Sequence, residues 1–281
     1  AFEATMGSEL EEKLTTINKT SLMIAYERSL EAKQENPLFV DPFATALAGS
    51  VGAQISDAMA SSATIMGFPD WPDFHKTWTC VRTAFIDNFL IEEIKKNNVP
   101  FQFINLGAGV DTRSYRLECF KNEQISAWEV DLPAVNEIKI EILSKLKIEP
   151  LCKQYIIDAD LSTNELSSKL EESNLDKTLP THWLLEGLLM YLLLPKQHEL
   201  LEQILDLSVS GSTAVINFAE ADSEEHRSLC MTAELLVPKF EERGWDITIH
   251  RFGEPSLNFG RYPKDRKPAT FFSFAVCRKL Q

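Results

Sequence analysis

The chain has no cysteine pairing from which a disulfide scaffold could be built. Cys80, Cys119, Cys152, Cys230 and Cys277 are odd in number, far apart and never spaced as Cys-x-x-Cys. They read as reduced thiols of a cytoplasmic protein and not as a zinc site. No apolar run approaches the roughly 20 residues that a membrane span needs. Dense basic clusters are missing too: 28 Lys and Arg face 42 Asp and Glu, a net charge of −14. That balance argues against nucleic acid and anionic membrane as partners. There is no Gly-x-Ser-x-Gly elbow for a hydrolase, and no His-Glu-x-x-His or clustered ligand set, so no metal is expected. Internal repeats and low-complexity segments are lacking. The start, Ala1 to Gly7, has no charged leader followed by an apolar stretch and is set aside as standing ahead of an original start at Met6.

What is present is organised around Phe101-Gln102-Phe103-Ile104-Asn105-Leu106-Gly107-Ala108-Gly109-Val110-Asp111-Thr112-Arg113. Apolar residues read as a buried strand, two glycines break it, and a polar, basic segment follows as a helix begins. Glycine permits positive φ and close approach of a ligand, so a strand feeding such a turn suits a nucleotide-type ligand. The dinucleotide fingerprint wants a third Gly or Ala where this chain has Thr112. About 20 residues on, Ser126 to Asp131 reads as a second strand ending in acids, the offset of a carboxylate that grips a ribose. The alternative is a tight turn that only packs a helix on a sheet.

In chain order, about 8 to 36 predicts a helix, Pro37 and Asp41-Pro42 end it, and a small-residue helix covers about 43 to 60. Gly67 to His75 reads as a proline- and aromatic-rich loop that covers a pocket or caps a helix pair. A helix over about 77 to 96 sets Arg82 on the same stripe as Phe85, Ile86 and Phe89. Arginine in that position either meets an anion or snorkels its stem to the surface. Beyond 101 a helix follows Pro133, and Gln154 to Leu161 is a third strand. A polar helix covers about 163 to 173. His182 to Tyr191 is a continuous apolar run that reads as a strand buried on both faces. Then come a helix near 195 to 208, a strand over Ser212 to Phe218, a helix near 224 to 243 ending at Gly244, and strands over Trp245 to Arg251 and Ala269 to Lys279. Alternating strands and helices predict a doubly wound parallel α/β sheet, and the last two strands, with no helix between them, predict an antiparallel closing pair. Ligands bind at the carboxyl ends of such strands, where Gly107, Asp131, Asp160 and Glu186 all fall.

Asp131 and Asp160 have an alternative use as N-caps of the helices that follow. Glu186 lies in the most apolar segment of the chain, where an unpaired carboxylate is costly, so it faces a polar pocket or pairs with a cation. A ligand with both a positive centre and a carboxylate would meet Glu186 and Arg82 together. S-adenosylmethionine is such a ligand, whereas NAD brings a pyrophosphate that wants the missing third glycine.

With these motifs in hand, the chain resembles the leucine carboxyl methyltransferase family of S-adenosylmethionine-dependent methyltransferases, closest to its bacterial-type branch acting on small molecules. The resemblance rests on Val81-Arg82-Thr83, Asn105 to Arg113, Glu129-Val130-Asp131-Leu132-Pro133, Asp160-Leu161 and Glu186-Gly187-Leu188-Leu189-Met190-Tyr191-Leu192. It also takes in Thr20 to Leu30, Phe39 to Ala44 and Arg243-Gly244-Trp245, and covers nearly the whole chain from about residue 14. It implies a seven-stranded Rossmann-like methyltransferase sheet with an antiparallel C-terminal strand. An N-terminal helical cap over 8–98 would precede a cofactor-binding core over 99–281, the two forming one compact unit. It implies that Arg82 holds the cofactor's methionine carboxylate and that Gly107, with Ala108 and Gly109, lets the backbone approach the methionine part. Asp131, with Leu132, would take the ribose hydroxyls, Asp160 with Leu161 would frame the adenine, and Glu186 would sit near the amino group. Lys19 would help at the N-terminal lid, and Tyr191 would orient the acceptor unless it only packs.

The expected activity is in-line methyl transfer from S-adenosylmethionine to an oxygen of a small molecule, with catalysis resting on alignment and exclusion of water. A carboxylate acceptor needs no base, a hydroxyl does. His182 falls at the wrong end of its strand, His198 and His226 read as helix-surface residues, and His75 and His250 stay open. Without a convincing base, the expectation leans to a carboxylic acid acceptor. Alternatives are methylation of a protein's C-terminal leucine carboxylate, a cofactor-binding partner module without catalysis, and a nicotinamide oxidoreductase.

Overall fold

In the computed structural model, which describes residues 16–58, 68–96, 100–220 and 230–280, three helices precede the first strand: α1 (Thr16–Glu31), α2 (Ala44–Ala58) and α3 (Trp71–Lys96). Then come β1 (Phe101–Leu106), α4 (Arg113–Arg116), β2 (Ile125–Asp131), α5 (Pro133–Lys145), β3 (Lys153–Asp158), α6 (Leu166–Glu172) and β4 (Thr181–Leu185). A 3-10 turn at Leu189–Tyr191 leads into α7 (Leu194–Leu207), β5 (Thr213–Phe218), α8 (Ala233–Glu241), β6 (Trp245–Phe252) and β7 (Ala269–Lys279). The seven strands form one sheet in the order β3-β2-β1-β4-β5-β7-β6. Neighbours are parallel from β3 to β5, and β7 runs antiparallel to both β5 and β6. The chain therefore grows outward from β1 to β3, then returns to place β4 against the other side of β1. That reversal opens a crevice at the carboxyl ends of β1 and β4, where Leu106 pairs with Leu185.

Alternation along β1 feeds both faces of the sheet. Phe101 and Phe103 pack into a cluster with Trp78, Val81 and Ile86 of α3, while Ile104 and Leu106 pack with Leu200, Leu201 and Ile204 of α7. Trp78 lies parallel to Phe272 at 4.8 Å between ring centroids, which seats α3 against β7. Leu22 and Ala25 of α1 share a third cluster with Leu47 of α2, Val110 and Val135. The N-terminal helices thus pack directly on the glycine turn.

Two sequence expectations need correction, and a third falls partly outside the described residues. The segment expected to be loop through His75 is already helix from Trp71, because Asp70 Oδ1 accepts the N–H of Asp73 at 2.8 Å as an N-cap does and Pro72 is tolerated in a first turn. The run from His182 to Tyr191 stops being strand at Leu185, since Gly187 turns the backbone at φ 63°. The helix read near 224 to 243 is described only from Ala233, and residues 221–229, His226 among them, lie outside the described residues. No described helix is long and apolar enough to cross a membrane.

Candidate functional site

Gly107 and Glu186 are the residues that directly follow β1 and β4, so the crevice between these strands carries one on each wall. Gly107 adopts φ 66°, and a Cβ there would stand 2.9 Å from Leu188 Cδ1; both facts select glycine. Its N–H and that of Ala108 donate to the Val130 carbonyl at 2.8 and 3.2 Å, which ties the turn to β2. A cavity of about 720 Å³ opens over these strand ends, within the usual range for a small-molecule site. Arg82, Gly107, Ala108, Gly109, Asp131, Leu132, Asp160, Leu161, Glu186 and Tyr191 all line it. Lys19 does not, although its neighbours Thr20 and Ser21 do.

Arg82 reaches the crevice from α3. It is 6% exposed, and its Nε donates to Glu186 Oε1 at 2.7 Å. Nη1 and Nη2 make no hydrogen bond among the described residues, and a Cβ on Gly187 would stand 3.6 Å from Nη1. Two guanidinium N–H edges therefore remain for an anion, in the fork geometry that suits a carboxylate. Arg82 neither snorkels nor lies free, because a carboxylate inside the protein meets it first. The second oxygen of Glu186 accepts from Arg113 Nη1 at 2.7 Å. Burial pushes the Glu186 carboxyl up, but Arg113 and Arg82 together outweigh it and hold the group below its ordinary value.

Asp131 is not the cap of α5, a position held by Leu132. Its carboxylate accepts the N–H of Gly109 at 2.7 Å through Oδ2 and the N–H of Leu132 at 2.7 Å through Oδ1. Burial outweighs these bonds and raises its pKa. The remaining lone pairs are where ribose hydroxyls could donate. Asp160, more exposed, accepts the N–H of Ser162 at 2.9 Å, and its hydrogen bonds with Ser162 lower its pKa. It shapes a local turn and does not cap α6, whose N-cap is Glu165. Asp160 and Leu161 thus line the cavity beyond Asp131.

Sequence reasoning missed the role of Arg113. Its guanidinium binds Glu186, Asp111 and Asp87, and these carboxylates outweigh the burial that would lower its pKa, raising it well above its ordinary value. The available signal was an Asp-x-Arg pair immediately after the glycine turn, between the apolar Val110 and Tyr115. Arg28 of α1 donates to the Val110 carbonyl at 2.8 Å and to Asp41 at 2.9 Å, fastening the glycine turn from outside the sheet. Part of the lining is largely apolar: Trp71, Met190, Tyr191 and Phe272 belong to it together with His75, whose ring contacts Trp71 and Phe272. Tyr191 is 44% exposed, with its hydroxyl 3.2 Å from Thr20 Oγ1 of α1.

Comparison with known proteins gives the family of the chain. The family model for leucine carboxyl methyltransferase matches residues 21–205. A protein of Mycobacteroides abscessus, provisionally named an S-adenosyl-L-methionine-dependent methyltransferase, is 29% identical over 282 aligned positions, covering 91% of this chain and 90% of its own. A relative in Mycobacterium tuberculosis with the same provisional name is 32% identical, covering 84% of this chain and 68% of its own. Among solved structures, a DUF574 family protein from Streptomyces avermitilis shares the fold with a TM-score of 0.64 at 15% identity, covering 92% of this chain and 96% of its own. The chain belongs to the leucine carboxyl methyltransferase family of S-adenosyl-L-methionine-dependent methyltransferases.

Proposed function

We propose that this protein transfers the methyl group of S-adenosylmethionine to a carboxylate or hydroxyl oxygen of a small molecule that enters the apolar end of the cavity. The observation that carries the reading is Arg82, buried beside Glu186 with neither Nη group hydrogen-bonded among the described residues, in a cavity shared with Gly107 and Asp131. A zwitterionic amino-acid end matches this pair. Its carboxylate takes the open edge of Arg82, and its ammonium lies towards Glu186. Gly107, without a side chain, leaves room for the same end, Asp131 accepts from the ribose and Asp160 with Leu161 borders the base. When bound, the cofactor supplies an electrophilic methyl group on a positively charged sulfur.

The protein's own contribution is alignment and a dry cavity. Charge is neutralised as the methyl moves, so a water-filled site would favour the separated reactants. Met190, Tyr191 and Phe272 give an apolar wall for the acceptor, and Tyr191 orients it from the mouth. Calorimetry with S-adenosylmethionine and S-adenosylhomocysteine tests the cofactor assignment directly. Micromolar or tighter binding of both is expected, and no heat with either sinks the reading. Transfer of labelled methyl to a small molecule, and not to a protein C-terminus, is the matching test of the acceptor class.

A further inference from the structure

One buried hydrogen-bonded pair in the wall of the cavity is not needed to hold the cofactor. Glu27 of α1 is 1% exposed, and its carboxylate receives three contacts: Thr79 Oγ1 donates to Oε2 at 2.5 Å, and His75 Nδ1 lies 2.9 and 3.0 Å from Oε1 and Oε2. A carboxylate only accepts, so Nδ1 carries the hydrogen and the imidazole is fixed by its partner. His75 lines the cavity, and its Nε2 has no hydrogen-bond partner among the described residues. The ring is held on two sides, stacked on Trp71 at 5.6 Å and edge-on to Phe272 at 6.3 Å. His75 and Arg82 stand seven residues apart on α3, two turns or about 10 Å along one helix face. The same face that presents Arg82 to one end of the cavity therefore presents an oriented imidazole to the aromatic end.

We propose that His75, oriented by Glu27, is the general base for an aromatic hydroxyl, so that the acceptor class is a phenol and the product a methyl ether. This rests on the methyl-transfer reading above. The hydroxyl oxygen forms its bond to the methyl carbon as the carbon–sulfur bond breaks and that electron pair stays on sulfur. The hydroxyl proton passes to His75 Nε2 and from there to solvent. Glu27 stabilises the imidazolium that forms and keeps the ring in the tautomer that leaves Nε2 as acceptor, the arrangement that a base oriented by a third group requires. The aromatic rings of Trp71 and Phe272 beside it suit a flat apolar acceptor. The lean towards a carboxylic acid rested on the lack of a base, and Glu27 was invisible to that argument because it lies 48 residues away.

The probes are phenol and 2-naphthol, each paired with its carboxylic acid, benzoate and 2-naphthoate, in the full chain with methyl-labelled S-adenosylmethionine. Label in a base-stable ether is expected from the phenols, and none in a base-labile ester from the acids. His75→Gln should lower kcat about 100-fold at pH 7 with KM and S-adenosylhomocysteine affinity within about threefold. That loss should shrink as the pH approaches the acceptor's own pKa, where the phenolate forms unaided. The ionisable groups sharing the cavity with His75 are Arg28, Arg82, Asp111, Asp131, Asp160, Glu186, Tyr191, Glu220 and Cys230, so the same profile is recorded for the variant. Independently of turnover, imidazole nitrogen-15 spectra should show His75 protonated on Nδ1 with Nε2 bare, and Glu27→Gln should abolish that preference while a melting curve shows the protein folded. Esters from the acids, an unchanged rate in His75→Gln, or no turnover of either phenol while S-adenosylhomocysteine still binds each overturns the proposal. Loss of cofactor binding in the unaltered protein instead removes the reading on which it rests.

Discussion

Replacing Arg82 with alanine separates binding from folding in a way the structure makes quantitative. Arg82 offers an incoming carboxylate two Nη groups that have no other partner among the described residues. Hydrogen bonds to a charged group contribute about 1.5–3 kcal/mol each, net of their exchange with water. Losing an edge worth one to two such bonds is expected to cost about 2–3 kcal/mol, or about 30- to 150-fold in Kd. The fold is spared most of the damage, because Glu186 keeps Arg113 Nη1 at 2.7 Å and its charge is not stranded. Calorimetry with two ligands makes the test specific. S-adenosylhomocysteine carries the amino-acid carboxylate, and 5′-methylthioadenosine does not. The first should weaken by the full factor in Arg82→Ala, and the second by less than about threefold. Equal losses for both ligands, or a fall in urea midpoint with unchanged affinities, would refute the assignment of Arg82 to the carboxylate.

The same ligand pair discriminates Asp131. Asp131→Asn replaces a carboxylate that accepts two N–H bonds by an amide with one accepting oxygen, so both ligands, each with a ribose, should weaken together by about 30-fold (about 2 kcal/mol); an unaffected methylthioadenosine argues against ribose contact. His182 stacks on Phe101 at 3.9 Å, and burial pushes its pKa down to about 4. A depressed histidine pKa means full stability above pH 6.5 and loss as the pH falls from 6.5 towards 4, about 3 kcal/mol in all; His182→Phe should flatten the urea-stability profile over that window, and an unchanged slope counts against it. Lys139 and Glu129 pair inside the protein, each about 2% exposed as side chains. Lys139→Met should cost about 3–5 kcal/mol by stranding Glu129, and Lys139→Met with Glu129→Met should recover most of it; a double variant no better than the single one removes the stranded charge as the cause.

The fold was legible because its signals are local and repeated. Buried strands end in Gly107, Asp131 and Glu186, and each glycine or acid falls where a strand stops. The antiparallel β7 was legible for the complementary reason that no α-helix, only a single 3-10 turn at Pro255–Leu257, separates it from β6. Misread segments were decided by single atoms. The start of α3 depends on Asp70 Oδ1 reaching the Asp73 N–H, which outweighs a proline- and aromatic-rich composition. At the site, cavity-lining residues at the ends of strands were found, but partners brought in by tertiary packing were not. Glu27 reaches His75 across 48 residues and Arg113 reaches Glu186 across 73, separations at which neither periodicity nor motif carries information. Glu186 was read as facing a polar pocket or pairing with a cation; it lines the cavity and bridges two arginines as well, so Glu186→Gln disturbs the scaffold of the site together with its cavity face.

Those bridges explain how four arginines come to be buried around one crevice. Arg82 meets Glu186, Glu186 meets Arg113, Arg113 meets Asp111 and Asp87, Arg116 meets Asp87, and Arg28 meets Asp41. Arg82, Arg113, Arg116 and Arg28 are thus matched by Glu186, Asp111, Asp87 and Asp41, and charges of opposite sign alternate through the interior. Removing any of them from water unpaired is prohibitive, whereas an alternating chain of charges keeps every group within reach of its opposite. A zwitterionic amino-acid end has no net charge, so it enters without upsetting that balance. Arg82 lies at one end of the set with its Nη edge open, and Glu186 fixes the direction of that edge before any ligand arrives. Preorganisation of this kind reduces the ordering cost of binding. The other end lies outside the sheet: Arg28 holds the Val110 carbonyl beside the glycine turn, and Thr112 Oγ1 donates to Asp41 at 2.7 Å. The N-terminal helices therefore hold the glycine turn in place as well as bringing Arg82 to the cavity.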